Sequence, residues 1–519
     1  MPTAHYDWDV VERLRLAELL GSLSLATDMG TASPPETALG TTITATRLAQ
    51  RSGLSGRDLA TTYYAGITRM LGCTATAMEG ASLAAGEDQR LNLALLSCDW
   101  SDASEVEAAL GELLPAELSA QQRRAAITNV VEAHPQIAAV AGLHCVQAMM
   151  FTRRLPVPEA VPEIIKHMWA RWDGRYPGAS GEEIPLPARI IPLARAADLA
   201  RRAGGRRAVE ALTRGRTGTE FDPDLCEALV ADADDVFDGL DAPSLWDTFL
   251  DAEPGENVLL GPDQALTVAE TFADFADQKS GWFAGHSRPV SKLAAGAASR
   301  LGLAEDEVER IRLAALMHDI GRAAVQNGIW DKPGELAPRE RQIAQSHSLH
   351  TASVLALAPA LSDLAALAGA AQERADGSGY HRGIRAIEPA MGMLGAANVY
   401  DAMTHDRPWR RAFDADAAAE QIQAMCGAGA LHGECAAAVL TQAGNGGAVA
   451  PVYPAGLTSR EVAVLQLLVT GMPTKTVAAR LMISAKTADH HIQSIYDKVG
   501  VRGRAPVALF ALEHGLAAG

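Results

Sequence analysis

Apolar residues recur at spacings of three and four over most of this chain, and alternating runs of the strand type are nearly absent. The pattern predicts an all-α protein. It breaks at two stretches rich in turn-forming residues: 251–263, with Pro254, Gly255, Gly261 and Pro262, and 443–456, with four glycines and two prolines. These breaks predict three domains, 10–250, 264–442 and 456–519, and 519 residues are enough for each to bury its own core.

The first two parts match when slid over each other. An offset of 249 lays 37–75 over 286–324 without a gap, pairing Gly53-Leu54 with Gly302-Leu303 and Leu71-Gly72 with Ile320-Gly321. An offset of 203 pairs His144 with His347 and Trp172-Asp173-Gly174 with Ala375-Asp376-Gly377. Special residues register as well as bulk apolar ones, as expected of a tandem duplication. The insert at about 77–143 in the first copy is expected to form several helices of its own.

In the third part, Thr458 followed at +3 by Glu461 is a capping box that opens a helix at 459–470. Gly471 ends it, Thr474 is expected to cap a short helix at 475–481, and Ser484 a third helix reaching Val499. On the third helix Ala488, Ile492, Ile495 and Val499 share one face, and Lys486, Asp489, His490, Gln493 and Asp497 share the opposite one. A helix laid in the major groove offers such side chains to base edges, while Thr487, Lys498, Arg502 and Arg504 stand where phosphates would be held. The sequence LTSRE, the Gly471 turn, the S-x-K-T start of the third helix, His491 and Lys498-Val-Gly-Val501 together resemble the LuxR-type helix-turn-helix. The resemblance implies base reading by Asp489, His490 and Gln493, and dimer contacts through a last helix at 505–516. Asp489 departs from the basic residues common there. Its carboxylate can accept from cytosine but repels phosphate, so dimers on two half-sites are expected to compensate.

Charge sharpens this division. The chain carries −18 overall, yet from Gly456 onward seven basic residues face four acidic ones, a balance of +3 that leaves −21 for everything before it. The six cysteines show no C-x-x-C spacing, no basic-then-apolar leader opens the sequence, and no apolar run approaches a membrane span. These features predict a cytoplasmic protein without a membrane anchor, and there is no phospho-receiver pattern.

The second part holds the remaining chemistry. His318-Asp319 lies in RLAALMHDIGR, with His286 in GHSRPV upstream, and His347 and His350 downstream before Glu373-Arg374 and the loop Asp376–Tyr380. Imidazoles plus a carboxylate suit divalent iron, manganese or zinc, which can activate water against a phosphoester. GHSRPV, MHDIGR, DKPGELAPRE, QSHSLH, ERADGSGYHRG and ANVYDAMTHDRPWR together resemble the HD-GYP branch of the HD phosphohydrolases over about 275–411. The resemblance implies two HD-like helical bundles in tandem ahead of the helix-turn-helix. It further implies two or three metal ions and cleavage of cyclic di-GMP or related phosphodiesters. Its metal ligands map to His286, His318, Asp319 and His347, and its signature loop to Gly379-Tyr380-His381. If the site is active, Asp319 and Arg322 are the catalytic positions, and Lys332, Arg374 and Tyr380 the phosphate or ligand contacts.

The departures are specific. Ala371 and Gln372 stand where the family has two histidines, and Asn398 where it has a closing Asp, so the metal site is expected to be incomplete and hydrolysis impaired. In the first copy Thr37, Arg69, Met70 and Arg195 stand at the positions of His286, His318, Asp319 and Asn398, although His144 and the run RWDGRYPG persist. That copy is read as a packing partner or ligand-sensing lobe. The expectation is a homodimeric transcription regulator of double-stranded DNA that senses a ligand, possible candidates being nucleotides or phosphorylated molecules, or a partner. The alternatives are an active metal phosphodiesterase with a DNA-binding domain attached, and a scaffold that binds DNA constitutively.

Overall fold

In the computed structural model, residues 14–175, 178–385, 387–445, 454–501, 503–513 and 516 are described. Among them every regular element is helical and no strand occurs, as the periodicity predicts. No helix is long and apolar enough to cross a membrane. The described chain divides into two compact units, one of residues up to Phe272 with Met317–Gly369, the other of Ala273–Leu316 with the residues from Ala370 onward.

The first unit is built around Leu16–Gly30, a helix apolar on nearly every side and buried on nearly every side. It packs against Thr37–Arg51 and Gly56–Thr68, and against Trp246–Asp251, where Gly21 lets the rings of Trp246 and Phe249 approach. Thr37–Arg51 is buried although rich in threonine. Thr42, Thr44 and Thr46 return their hydroxyls to the carbonyls of Ala38, Gly40 and Thr42 at 2.7–2.8 Å, so burial leaves no donor unmade. The long helix Leu186–Arg216 lies along it and bends at Gly204-Gly205, where Gly205 takes φ +63°. The insert forms the helices Ala77–Leu83, Asp88–Ser97, Ala103–Leu113 and Ala120–Glu132, closed over a small core of Trp100, Val106, Leu110 and Val130.

This unit also holds the segment after His318. Gln89 Nε2 donates to Ala323 O at 2.9 Å, and Asn327 N donates to the fully buried Asp88 at 2.7 Å. The insert helix Asp88–Ser97 is thus bonded to the backbone that follows the His-Asp pair.

In the second unit Ser287–Arg300, Pro389–Thr404 and Gly433–Asn445 form an alanine-rich bundle with close backbones. The C-terminal helices are Ser459–Val469, Thr474–Arg480, Ala485–Val499 and Arg504–Glu513. Their core is Val464, Leu465, Leu468, Val477, Ile492 and Ile495, each buried side chain contributing roughly 1.5–3 kcal/mol.

The duplication is visible in backbone detail. Gly53 (φ +86°) and Gly302 (φ +74°) end equivalent helices in the left-handed region, and the next leucines close the same turn, Leu54 N to Ala49 O at 2.9 Å and Leu303 N to Ala298 O at 3.2 Å. Asp173 Oδ1 accepts from Arg175 N at 3.0 Å as Asp376 Oδ1 accepts from Ser378 N at 2.9 Å. A Cβ on Gly72 would fall 2.0 Å from His144 O, and one on Gly321 2.0 Å from His347 O. Both offsets, 249 and 203, therefore superpose real geometry.

Two local expectations are corrected. Thr474 is the first residue of its helix rather than its cap; Pro473 occupies the capping position with no side-chain bond, because its fixed φ already suits a helix entry. The last helix begins one residue earlier than expected and is described over Arg504–Glu513, with Leu516 outside it.

Candidate metal centre and DNA-binding face

The helix Glu305–Met317 delivers His318 and Asp319 at its end, and both side chains are buried. His318 Nε2 lies 2.9 Å from Asp319 Oδ2, and Arg322, one turn on, brings Nη2 to the same oxygen at 2.5 Å. His347 opens the helix His347–Leu355 with Nε2 3.5 Å from Asp319 Oδ1. Its Nδ1–H donates to Ala344 O at 2.6 Å, which fixes the tautomer and leaves Nε2 as the lone-pair nitrogen. Thr351 locks the pair in place, donating its hydroxyl to His318 O at 3.0 Å while accepting from Gly321 N at 3.0 Å. The first unit thus gathers three of the expected ligands, with Arg322 on the carboxylate.

In the second unit His286 is held from Pro389–Thr404. Asp401 Oδ2 is 2.6 Å from its Nδ1, and Asn398 Oδ1 is 3.1 Å from its Nε2. A carboxylate on one imidazole nitrogen orients the other toward a metal, the usual support for a ligating histidine. Asp401 has no assigned role in the sequence reading, although its place one turn after Asn398 on the same helix face is the signal that could have found it. Ala371 is buried and brings no donor.

The expected phosphate contacts are differently engaged. Lys332 gives its ammonium to Glu340 at 2.5 Å. Arg374, lowered in pKa by burial, donates to Glu373 O at 2.7 Å. Glu373 accepts from Arg382 N at 2.7 Å and Ile384 N at 3.1 Å, so it shapes the loop that carries the half-buried Tyr380. In the first copy Tyr176 and Pro177 of RWDGRYPG lie outside the described residues.

In the C-terminal domain the capping box forms as expected: Glu461 N donates to Thr458 Oγ1 at 3.2 Å, and Thr458 N to Glu461 Oε2 at 2.7 Å. Ser484 caps the third helix through Thr487 N at 3.0 Å. With Ala488, Ile492 and Ile495 buried, the residues Lys486, Thr487, Asp489, His490 and Gln493 are all exposed on one side. Lys498 is bonded inward, to Glu461 Oε2 at 2.7 Å and Gly456 O at 3.1 Å, and Arg504 donates to Gly471 O at 3.1 Å. Arg502 lies outside the described residues.

Residues 455–511 match the luxR family of bacterial regulatory proteins. Spore germination protein GerE of Bacillus subtilis is 42% identical over 59 residues, 11% of this chain and 80% of that protein. The chain belongs to the luxR family of bacterial regulatory proteins. Ahead of that domain, 132–225 and 270–431 match the HD domain. The 3'3'-cGAMP-specific phosphodiesterase 3 of Vibrio cholerae is 27% identical over 410 residues, 78% of this chain and 89% of that protein. A crystal structure of the cyclic GMP-AMP phosphodiesterase V-cGAP3 from that organism shares the fold, with a TM-score of 0.56 at 24% identity over 83% of this chain and 98% of that one. A luxR-family domain thus follows tandem HD-type helical bundles, and it implies DNA as a partner.

Proposed function

We propose that this protein is a transcription regulator in which the HD-like region senses a small ligand or a partner and the C-terminal domain reads DNA. The observation that carries the reading is the third helix of the luxR-family domain, with its apolar face buried and Lys486, Thr487, Asp489, His490 and Gln493 presented together to solvent. Arg504, at the start of the last helix, is a phosphate contact among the described residues. The protein acts as a homodimer in the cytoplasm, and its domains are 10–250, 264–442 and 456–519. Selection of binding sites from random duplexes tests this, since a regulator returns a defined motif with two half-sites and a scaffold returns none.

A second reading, a metal-dependent phosphodiesterase with an attached DNA-binding domain, is favoured by the support around the histidines. In the first unit His318, Asp319 and His347 are buried nitrogen and oxygen donors, with the second nitrogen of His347 held by Ala344 O; in the second unit His286 is buried with its Nδ1 held by Asp401. The His318, Asp319 and His347 set of the first unit fits a divalent iron, manganese or zinc ion, which when bound would polarise a phosphoryl oxygen and acidify water. Arg322 would hold the Asp319 carboxylate in place. Ala371 brings no donor and Gln372 and Asn398 only uncharged amide oxygens toward a second ion, which supports sensing over turnover. Elemental analysis of the purified protein, with hydrolysis of 3'3'-cGAMP and cyclic di-GMP under added manganese or iron, separates the readings. Near-stoichiometric metal with turnover lost in His318→Ala establishes the enzyme.

A further inference from the structure

In the first repeat two of the matched site positions, those of His318 and Asn398, are arginines, and the structure shows where they go. Arg69 and Arg195 line one small, part-open cavity together with His144, Trp100, Trp169 and Glu220. The two residues are only 4% and 8% exposed. Arg69 donates to Gly66 O at 2.8 Å and to Thr41 Oγ1 at 3.3 Å, while its Nε has no partner; Arg195 donates to Leu96 O. Among the described residues neither forms an ion pair with a carboxylate.

The surrounding carboxylates are committed elsewhere. Asp198 is held by Arg201 at 2.9 Å and Arg202 at 2.8 Å, Glu220 by Arg216 at 3.0 Å, and Asp99 and Asp173 by Arg171 at 2.7 and 3.2 Å. Burial pushes the Asp28 carboxyl up to about 7, which removes much of its charge at neutrality. Burial lowers both arginines to about 10, Arg69 further disfavoured by Arg195, so both remain cationic at pH 7. His144, brought down to about 4 by burial, is neutral and donates Nε2–H to Arg69 O at 2.8 Å. Carboxylates act on them only from a distance, Glu220 on Arg195 and Asp28 and Asp198 on Arg69, and two buried cations with no carboxylate in direct contact are costly unless an anion completes the site.

We propose that this cavity is a binding site for the phosphate of a nucleotide-class ligand, in which Arg69 and Arg195 take the anion and the Trp100 and Trp169 rings face its apolar part. The site is distinct from the His318 centre, and its occupancy does not require metal there. A guanidinium pair is suited to phosphate, because its planar N–H groups match two oxygens at once.

The test is calorimetric titration of the full-length protein with inorganic phosphate, GMP, cyclic di-GMP and, as the uncharged control, guanosine. At least one phosphate-bearing probe is expected to bind and guanosine not. Arg195→Gln, shown to be folded by circular dichroism, should weaken that binding at least tenfold. Hydrogen exchange of the wild-type chain locates the site even if the variant does not fold: the probe should slow exchange at 66–74 and 92–100. Binding of phosphate alone marks an anion subsite without base recognition and overturns the nucleotide class. No binding at millimolar probe, protection confined to other segments, or wild-type affinity in folded Arg195→Gln overturns the site itself.

Discussion

Replacing Glu461 by Gln should loosen the whole DNA-binding domain without touching its DNA-facing surface. The carboxylate is 5% exposed as a side chain and accepts from Thr458 N at 2.7 Å, Thr458 Oγ1 at 2.9 Å, Ser494 Oγ at 2.6 Å and Lys498 Nζ at 2.7 Å, tying the first helix to the third. Burial by itself would raise its pKa; the bonds from Lys498, Ser494 and Thr458 outweigh that and hold it down to about 2, against an ordinary value of 4.5. At about 1.36 kcal/mol per unit the ceiling is roughly 3 kcal/mol, which solvent around the part-exposed Lys498 reduces to about 2 kcal/mol. A carboxyl with a depressed folded-state pKa contributes this stability in full above pH 4.5 and loses it as pH falls toward about 2.

Hydrogen exchange of the full chain at pH 7 reads the opening of Ala485–Val499 directly. Glu461→Gln should exchange there about 30-fold faster, the ratio that about 2 kcal/mol corresponds to. Corrected for intrinsic rates, the wild-type advantage should shrink between pH 4.5 and about 2 and be flat in the variant. Exchange within twofold of wild type at pH 7 would refute the reasoning.

Gly321→Ala and Gly72→Ala would each place a Cβ 2.0 Å from a histidine carbonyl and should lower thermal stability by about 2 kcal/mol or more, measured by calorimetry. Gln493→Ala should change the preferred base in a random-duplex selection, at about 1–3 kcal/mol of discrimination, while stability stays at the wild-type value. Lys498→Ala, because the ammonium is bound to Glu461 and Gly456 O, should destabilise the domain and leave the salt slope of DNA affinity unchanged, as titrations at several salt concentrations would show.

Much of the site was legible in local spacing. His318, Asp319 and His347 were placed by motifs, and the exposed stripe of the third C-terminal helix by its 3.6-residue period. The duplication was legible because Gly72 and Gly321 must both lie against a histidine backbone, and only glycine fits there. Asp401 was missed because its place one turn after Asn398 marks the helix face but does not name the imidazole it orients. For Lys498 the sequence gives charge and position but not the carboxylate 37 residues away to which its ammonium donates.

The sequence by itself determined the helical class, the caps of the first and third C-terminal helices, the repeat and the ligand residues lost from it. These rest on interactions within a few residues or on identity at fixed offsets. Tertiary structure decided which charges are compensated. Lys332 and Lys498 are neutralised by glutamates, and Arg322 by Asp319, whereas Arg69 and Arg195 are buried together on one cavity with carbonyl, hydroxyl and no carboxylate partners. Electrostatic energy depends on distance and burial, and neither is written in the order of residues.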